Sequence, residues 1–123
     1  MLFLSSGKIV KDYRILQKYF EILDEMNIDK SSTLPSSEDI EFIERLIKEG
    51  KRSLLELLDA LTLKFIPKIN TEAAVRAYKE VLDIELHPNT AISHIAKDLA
   101  GWSLEIAEHL GIIRIDVSNL PPY

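Results

Sequence analysis

The sequence contains no cysteine and only one glutamine, Gln17. Without cysteine the chain has no disulfide, no thiolate metal ligand and no cysteine nucleophile, so a reducing cytoplasm is the expected location. Scarcity of labile side chains beside many lysine and glutamate residues resembles the composition of heat-adapted proteins, and we expect a thermophilic source. No apolar run approaches the roughly 18 residues of a membrane span, so we expect no membrane association.

Positive charge is in deficit, with 15 Lys and Arg against 20 Asp and Glu and a net charge of −5. Such a field repels phosphate backbones, which disfavours nucleic acid as a partner. The 123 residues are enough for one domain with one hydrophobic core. We therefore predict a single helical domain over residues 1–123.

The helical prediction rests on hydrophobic periodicity. Apolar residues recur at three- and four-residue spacing in five stretches, which begin near residues 6, 37, 54, 72 and 90 and end near residues 26, 49, 66, 86 and 110. Gly101 leaves open whether the last helix is continuous. Residues 112–117 are β-branched but have no partner strand. The predicted fold is all-α, a compact bundle of about five helices with a short irregular or extended C-terminal tail.

The third predicted helix is apolar almost all round, which favours a place in the centre of the fold or in an interface between subunits. The chain shows no catalytic signature and no phosphate-binding loop. We therefore predict a non-enzymatic module for protein–protein interaction or self-association, without a cofactor, with a protein partner or a homo-oligomer. The predicted interface residues are Leu54, Leu57, Leu58, Leu61 and Phe65.

A first alternative comes from residues 104–120, where a small residue, Ala107, is followed four positions later by Gly111 and then by spaced apolar residues. This pattern resembles the helix-turn-helix family of DNA-binding regulators. The resemblance implies that the segment after Gly111 is a recognition helix in the major groove. Its DNA-contacting residues would be Arg114, Ser118 and Asn119.

A second alternative is a metal-binding helical protein. Two imidazoles and two carboxylates fall on one stripe of the fifth predicted helix, and this donor set suits Zn or Fe. The candidate ligands are His94, Asp98, Glu105 and His109. The same spacing also fits a solvated face with carboxylate–imidazole pairs one turn apart.

Overall fold

The computed structural model describes residues 8–10, 12–50 and 52–115 of the chain. Within these ranges there are five α-helices and no strand, which confirms the all-α prediction. The helices are α1 (Arg14–Glu25), α2 (Ser37–Glu49), α3 (Leu54–Phe65), α4 (Thr71–Leu82) and α5 (Pro88–His109), with a 3-10 turn at Ile66–Lys68. Residues 112–115 lack regular structure. Among the residues described, no helix combines the length and the apolar character needed to cross a membrane.

Local capping sets the start of α2, α3 and α4. Ser36 and Asp39 form a capping box at α2, and Ser53 and Glu56 form another at α3, where the Ser53 hydroxyl accepts from the Glu56 N–H at 3.1 Å. At α4 the Asn70 side chain accepts from the Ala73 N–H at 2.9 Å. These starts agree with the sequence prediction because each cap depends on residues only three positions apart.

Two helix bounds differ from the prediction. Helix α1 begins at Arg14 rather than near residue 6, and its first turn is preceded by Asp12, which accepts from the Arg14 N–H at 3.0 Å. Helix α4 ends at Leu82 because Asp83 adopts a left-handed conformation, with φ of 54°. The chain then runs without regular structure to the start of α5.

Helix α5 is continuous through Gly101, which answers the question that the sequence left open. The segment of residues 8–10 crosses α5 at this point. A Cβ on Gly101 would lie 2.7 Å from Ile9 Cγ2 and 3.1 Å from Val10 Cγ2. The glycine therefore allows close approach of the segment and does not bend the helix.

The predicted interface on α3 lies in the core of this chain. Leu57, Leu58, Leu61 and Phe65 are buried and Leu54 is partly buried, because α3 packs against α5 in the middle of the bundle. A second subunit is not needed to cover these side chains, so their burial gives no support to the predicted interface, which stays a prediction. The apolar side chains that α3 does leave exposed are Leu55 and Leu63.

Candidate functional site

A groove of about 280 Å³ lies where α2 ends, α3 begins and the segment after α5 passes. Two guanidinium groups line it, those of Arg52 and Arg114. We call it the arginine groove. The rest of its wall is mostly apolar and is formed by Ile47, Leu54, Leu57, Ile112 and Ile113.

The two arginines are loosely held. The nearest carboxylate oxygens to the Arg52 guanidinium are those of Glu49 and Glu56, both at 4.0 Å. Arg114 is exposed, and its guanidinium makes no hydrogen bond or ion pair with any residue that the structure describes. A planar guanidinium offers paired N–H donors that match phosphate or carboxylate oxygens. The groove can therefore bind an anionic group beside an apolar one.

The positive charge of the groove comes from these side chains. The C-terminal end of α2 and the N-terminal end of α3 meet here, so the partial charges of their dipoles oppose each other. The first N–H groups of α3 are partly used by the Ser53 and Glu56 capping box. Among the described lining residues, the positive charge of the groove is therefore that of Arg52 and Arg114.

A second cavity of about 220 Å³ lies between Ile9, Asp12 and the helices α1, α4 and α5. We call it the Asp98 cleft, and its polar lining consists of Asp12, Tyr78, Lys97 and Asp98. The pKa of Asp98 is raised to about 7, mainly by burial and then by the charge of the nearby Asp12, while Lys97 opposes both effects. Burial, and then the charge of Asp98, also raises the pKa of Tyr78.

The structure separates the four predicted metal ligands. Glu105 is buried and accepts hydrogen bonds from Ile9 N–H at 3.2 Å, Val10 N–H at 2.8 Å and the Tyr13 hydroxyl at 2.8 Å. His94 and His109 are exposed, and the His94 ring lies 5.9 Å from that of Tyr78.

In residues 8–10, 12–50 and 52–115 no three His, Asp or Glu side chains are placed to hold a metal ion. The arrangement adds no support for metal binding, which stays a prediction.

The predicted DNA-binding residues are only partly described. Arg114 lies in the arginine groove, whereas Ser118 and Asn119 lie outside the described residues. Residues 112–115 are not helical, although the resemblance to helix-turn-helix proteins implies that a recognition helix begins there. Arg52 was missed by the sequence analysis. Its position between a helix-ending glycine and a capping serine was the available signal, but nothing local places it beside Arg114.

Comparison with known proteins gives one finding about function. The chain is 27% identical over 95 residues to the phosphopantetheine adenylyltransferase of Bacteroides fragilis. The match takes in 72% of this chain, and the chain spans 62% of the length of that relative. No protein-family model matches the chain, and no solved structure matches it at a significant level.

This likeness corrects the functional prediction. The relative is an enzyme by its name, whereas the sequence analysis predicted a non-enzymatic interaction module and offered DNA or metal binding as alternatives. The prediction was wrong because it took the absence of familiar catalytic motifs as evidence against an enzyme.

Proposed function

We propose that the chain acts in nucleotidyl transfer, moving an adenylyl group from ATP to a phosphate-bearing acceptor, with the arginine groove as the site that holds the phosphates. The likeness to an adenylyltransferase supports the class of reaction. The observation that carries the proposal is the pairing of Arg52 and Arg114 over an apolar wall in one groove. Polyphosphate needs fixed positive charge, and a nucleobase needs apolar surface.

The reaction defines what the groove must do. An oxygen of the acceptor phosphate attacks the α-phosphorus of ATP, a new P–O bond forms, and the bond to the bridging oxygen of the β-phosphate breaks. Pyrophosphate leaves with the electron pair of that bond. Since phosphoryl and nucleotidyl groups transfer mainly through positioning and charge stabilisation, the two guanidinium groups would offset the charge that develops on the leaving pyrophosphate.

The Asp98 cleft is less suited to this task. Asp12 and Asp98 both line it, and among the residues that the structure describes Lys97 is its one cationic side chain. When both carboxyls are ionised, their field repels a polyphosphate. Of the two cavities, the arginine groove therefore fits the anionic substrates of adenylyl transfer.

Pyrophosphate binding tests the groove directly. Glu49 and Glu56 compete for Arg52, so we expect a Kd on the order of 0.1 mM at low salt, measured by isothermal titration calorimetry. Arg52→Gln and Arg114→Gln should each weaken binding about tenfold, since each removes one charged donor. Arg45→Gln is the matched control, because Arg45 is an exposed guanidinium of α2 outside the groove.

Binding that is absent at low salt, or equally weakened by all three substitutions, would contradict the proposal. The transfer itself is tested with α-labelled ATP and phosphopantetheine. We expect label to pass to the acceptor with release of one pyrophosphate, and we expect Arg114→Gln to slow this release about tenfold or more. If the groove binds pyrophosphate but no label is transferred, the chain binds phosphates without being an adenylyltransferase.

Four other expectations stay predictions. They are a single domain over residues 1–123, a cytoplasmic location, a thermophilic source and a homo-oligomeric state. The main argument for a homo-oligomer was an uncovered apolar face on α3, and those side chains are covered within the chain. Light scattering of the purified protein tests it.

A further inference from the structure

Glu108, the second-to-last residue of α5, binds chain segments from both ends of the described structure. Its Oε2 atom accepts from the Lys8 ammonium at 2.9 Å and from the Ile115 N–H at 2.8 Å. Lys8 first, and then the Ile115 N–H, lower the pKa of the Glu108 carboxyl, so the group is ionised at neutral pH.

These contacts fix the segment that carries Arg114. After the left-handed Gly111, with φ of 79°, the Ile112 N–H donates to the Ala107 carbonyl at 2.9 Å. Three residues later the Ile115 N–H donates to Glu108, and the Ile115 side chain is buried. Arg114 lies between these two anchors, directly before the second.

We propose that Glu108 is a positioning residue that holds Arg114 in the arginine groove through the backbone of Ile115. The inference rests on the proposed function, because it assigns a device to the same groove. It is specific to Arg114, since the described contacts of Arg52 are to Glu49 and Glu56 on α2 and α3. Lys8 binds the same Oε2 atom of Glu108 and so ties residues 8–10 to this arrangement.

The direction in which Glu108→Gln changes the affinity for an anion distinguishes positioning of Arg114 from simple electrostatic repulsion. Glu108 carries a negative charge close enough to Arg114 for the arginine to help lower its pKa. If charge alone mattered, Glu108→Gln would remove a repulsive group and tighten the binding of an anion. Positioning predicts the opposite, because a glutamine amide holds Lys8 and the Ile115 N–H less firmly.

The experiment measures the Kd for pyrophosphate in Glu108→Gln at low salt. We expect binding about fivefold weaker than in the wild type, with Glu44→Gln, an exposed glutamate of α2, unchanged. Faster hydrogen exchange of the Ile115 amide in the ligand-free variant should accompany the loss. Unchanged or tighter binding, or unchanged exchange, would overturn the inference while leaving the proposed function intact.

A double substitution shows whether the effect acts through Arg114. In an Arg114→Gln background, Glu108→Gln should add almost nothing to the loss of binding, whereas in an Arg52→Gln background it should retain its fivefold effect. Equal losses in both backgrounds indicate a general loss of structure and would refute positioning. If the wild type itself does not bind pyrophosphate, the proposed function fails first, and the positioning role fails with it.

Discussion

Two acidic residues on α5, Asp98 and Glu105, lie two turns apart and both face the segment before α1. Glu105 is 2% exposed and accepts three hydrogen bonds from that segment. Asp98 is partly buried, accepts no hydrogen bond from any residue that the structure describes, and has a pKa raised to about 7. Glu105 therefore fastens the segment through these hydrogen bonds, whereas the pKa of Asp98 is raised because burial desolvates it and no described donor offsets that effect.

The segment before α1 accounts for the difference between Glu105 and Asp98. Ile9, Val10 and Tyr13 bring N–H and O–H donors to Glu105, whereas Asp12, from the middle of this stretch, brings a like charge toward Asp98. The Asp12 carboxyl is itself held by the Arg14 guanidinium, which lowers its pKa. A weakening of the Glu105 contacts should therefore release the segment, and a change at Asp98 should alter only the pH dependence of its docking.

The largest effect is expected at Glu105. Glu105→Gln replaces a charged acceptor with a neutral one for the Ile9 and Val10 N–H groups, and its N–H₂ group can no longer accept from the Tyr13 hydroxyl. We expect a loss of about 3 kcal/mol in the free energy of unfolding at pH 7, measured by urea denaturation. Glu44→Gln, on the exposed side of α2, is the matched control and should change stability by less than about 0.5 kcal/mol.

A Glu105→Gln variant as stable as the control would show that the hydrogen bonds at Glu105 do not fasten the segment. The contrast with Asp98 would then have no energetic basis.

Asp98→Asn should have the opposite sign and a pH dependence. The folded-state pKa of about 7 lies above the unfolded value, so the native state retains the proton more strongly. This tighter proton binding by Asp98 stabilises the folded state. The stabilisation is fully present below about pH 4 and is lost as the pH rises through 7. Asparagine resembles the neutral acid, so Asp98→Asn should stabilise the protein by about 2 kcal/mol at pH 8, after allowance for partial exposure, and by almost nothing at pH 4.

Denaturation curves at several pH values measure this difference. Asp59→Asn removes an exposed carboxyl from α3, outside the cleft, and should give the same small change at every pH. If both variants follow the wild-type pH profile, then Asp98 ionises normally and the cleft is solvated.

The elements that the sequence predicted well are those with local causes. Helices α2 and α3 begin where a serine and an acidic residue three positions later can cap each other, and both residues are visible in one short window. The start of α1 was misplaced because residues 8–10 continue the apolar pattern but cross α5 beside Gly101. That contact joins positions more than 90 residues apart, and no local periodicity reports it.

The same difference between local and long-range causes explains which residues of the candidate site the sequence could predict. Arg114 was singled out by a short helix-like pattern, but its neighbour in the groove comes from the junction of α2 and α3. His94, Asp98, Glu105 and His109 all lie on α5, but His94 and His109 are exposed, Asp98 is half-buried and Glu105 is buried. The chemistry of these side chains depends on which backbone donors arrive from residues 9–13, and the sequence alone does not give that information.

The smallest effect, and the finest test of how the segment is fastened, is expected at Gly101. Alanine in a helix interior is favoured over glycine by about 1 kcal/mol, but its Cβ would meet Ile9 Cγ2 at 2.7 Å. Ile9 cannot retreat without stretching the hydrogen bond from its N–H to Glu105. We expect Gly101→Ala to cost a net of about 1 kcal/mol in the free energy of unfolding.

A double substitution at Gly101 and Glu105 tests whether Glu105 holds the segment against α5. In a Glu105→Gln background the segment is already loosened and can move away from the new methyl group, so the cost of Gly101→Ala should shrink or become a gain as helix propensity takes over. Strict additivity of the two substitutions would mean that the methyl group is accommodated by α5 itself. In that case Glu105 does not hold the segment against the helix, and the difference between the two carboxyls of α5 must come from solvent access alone.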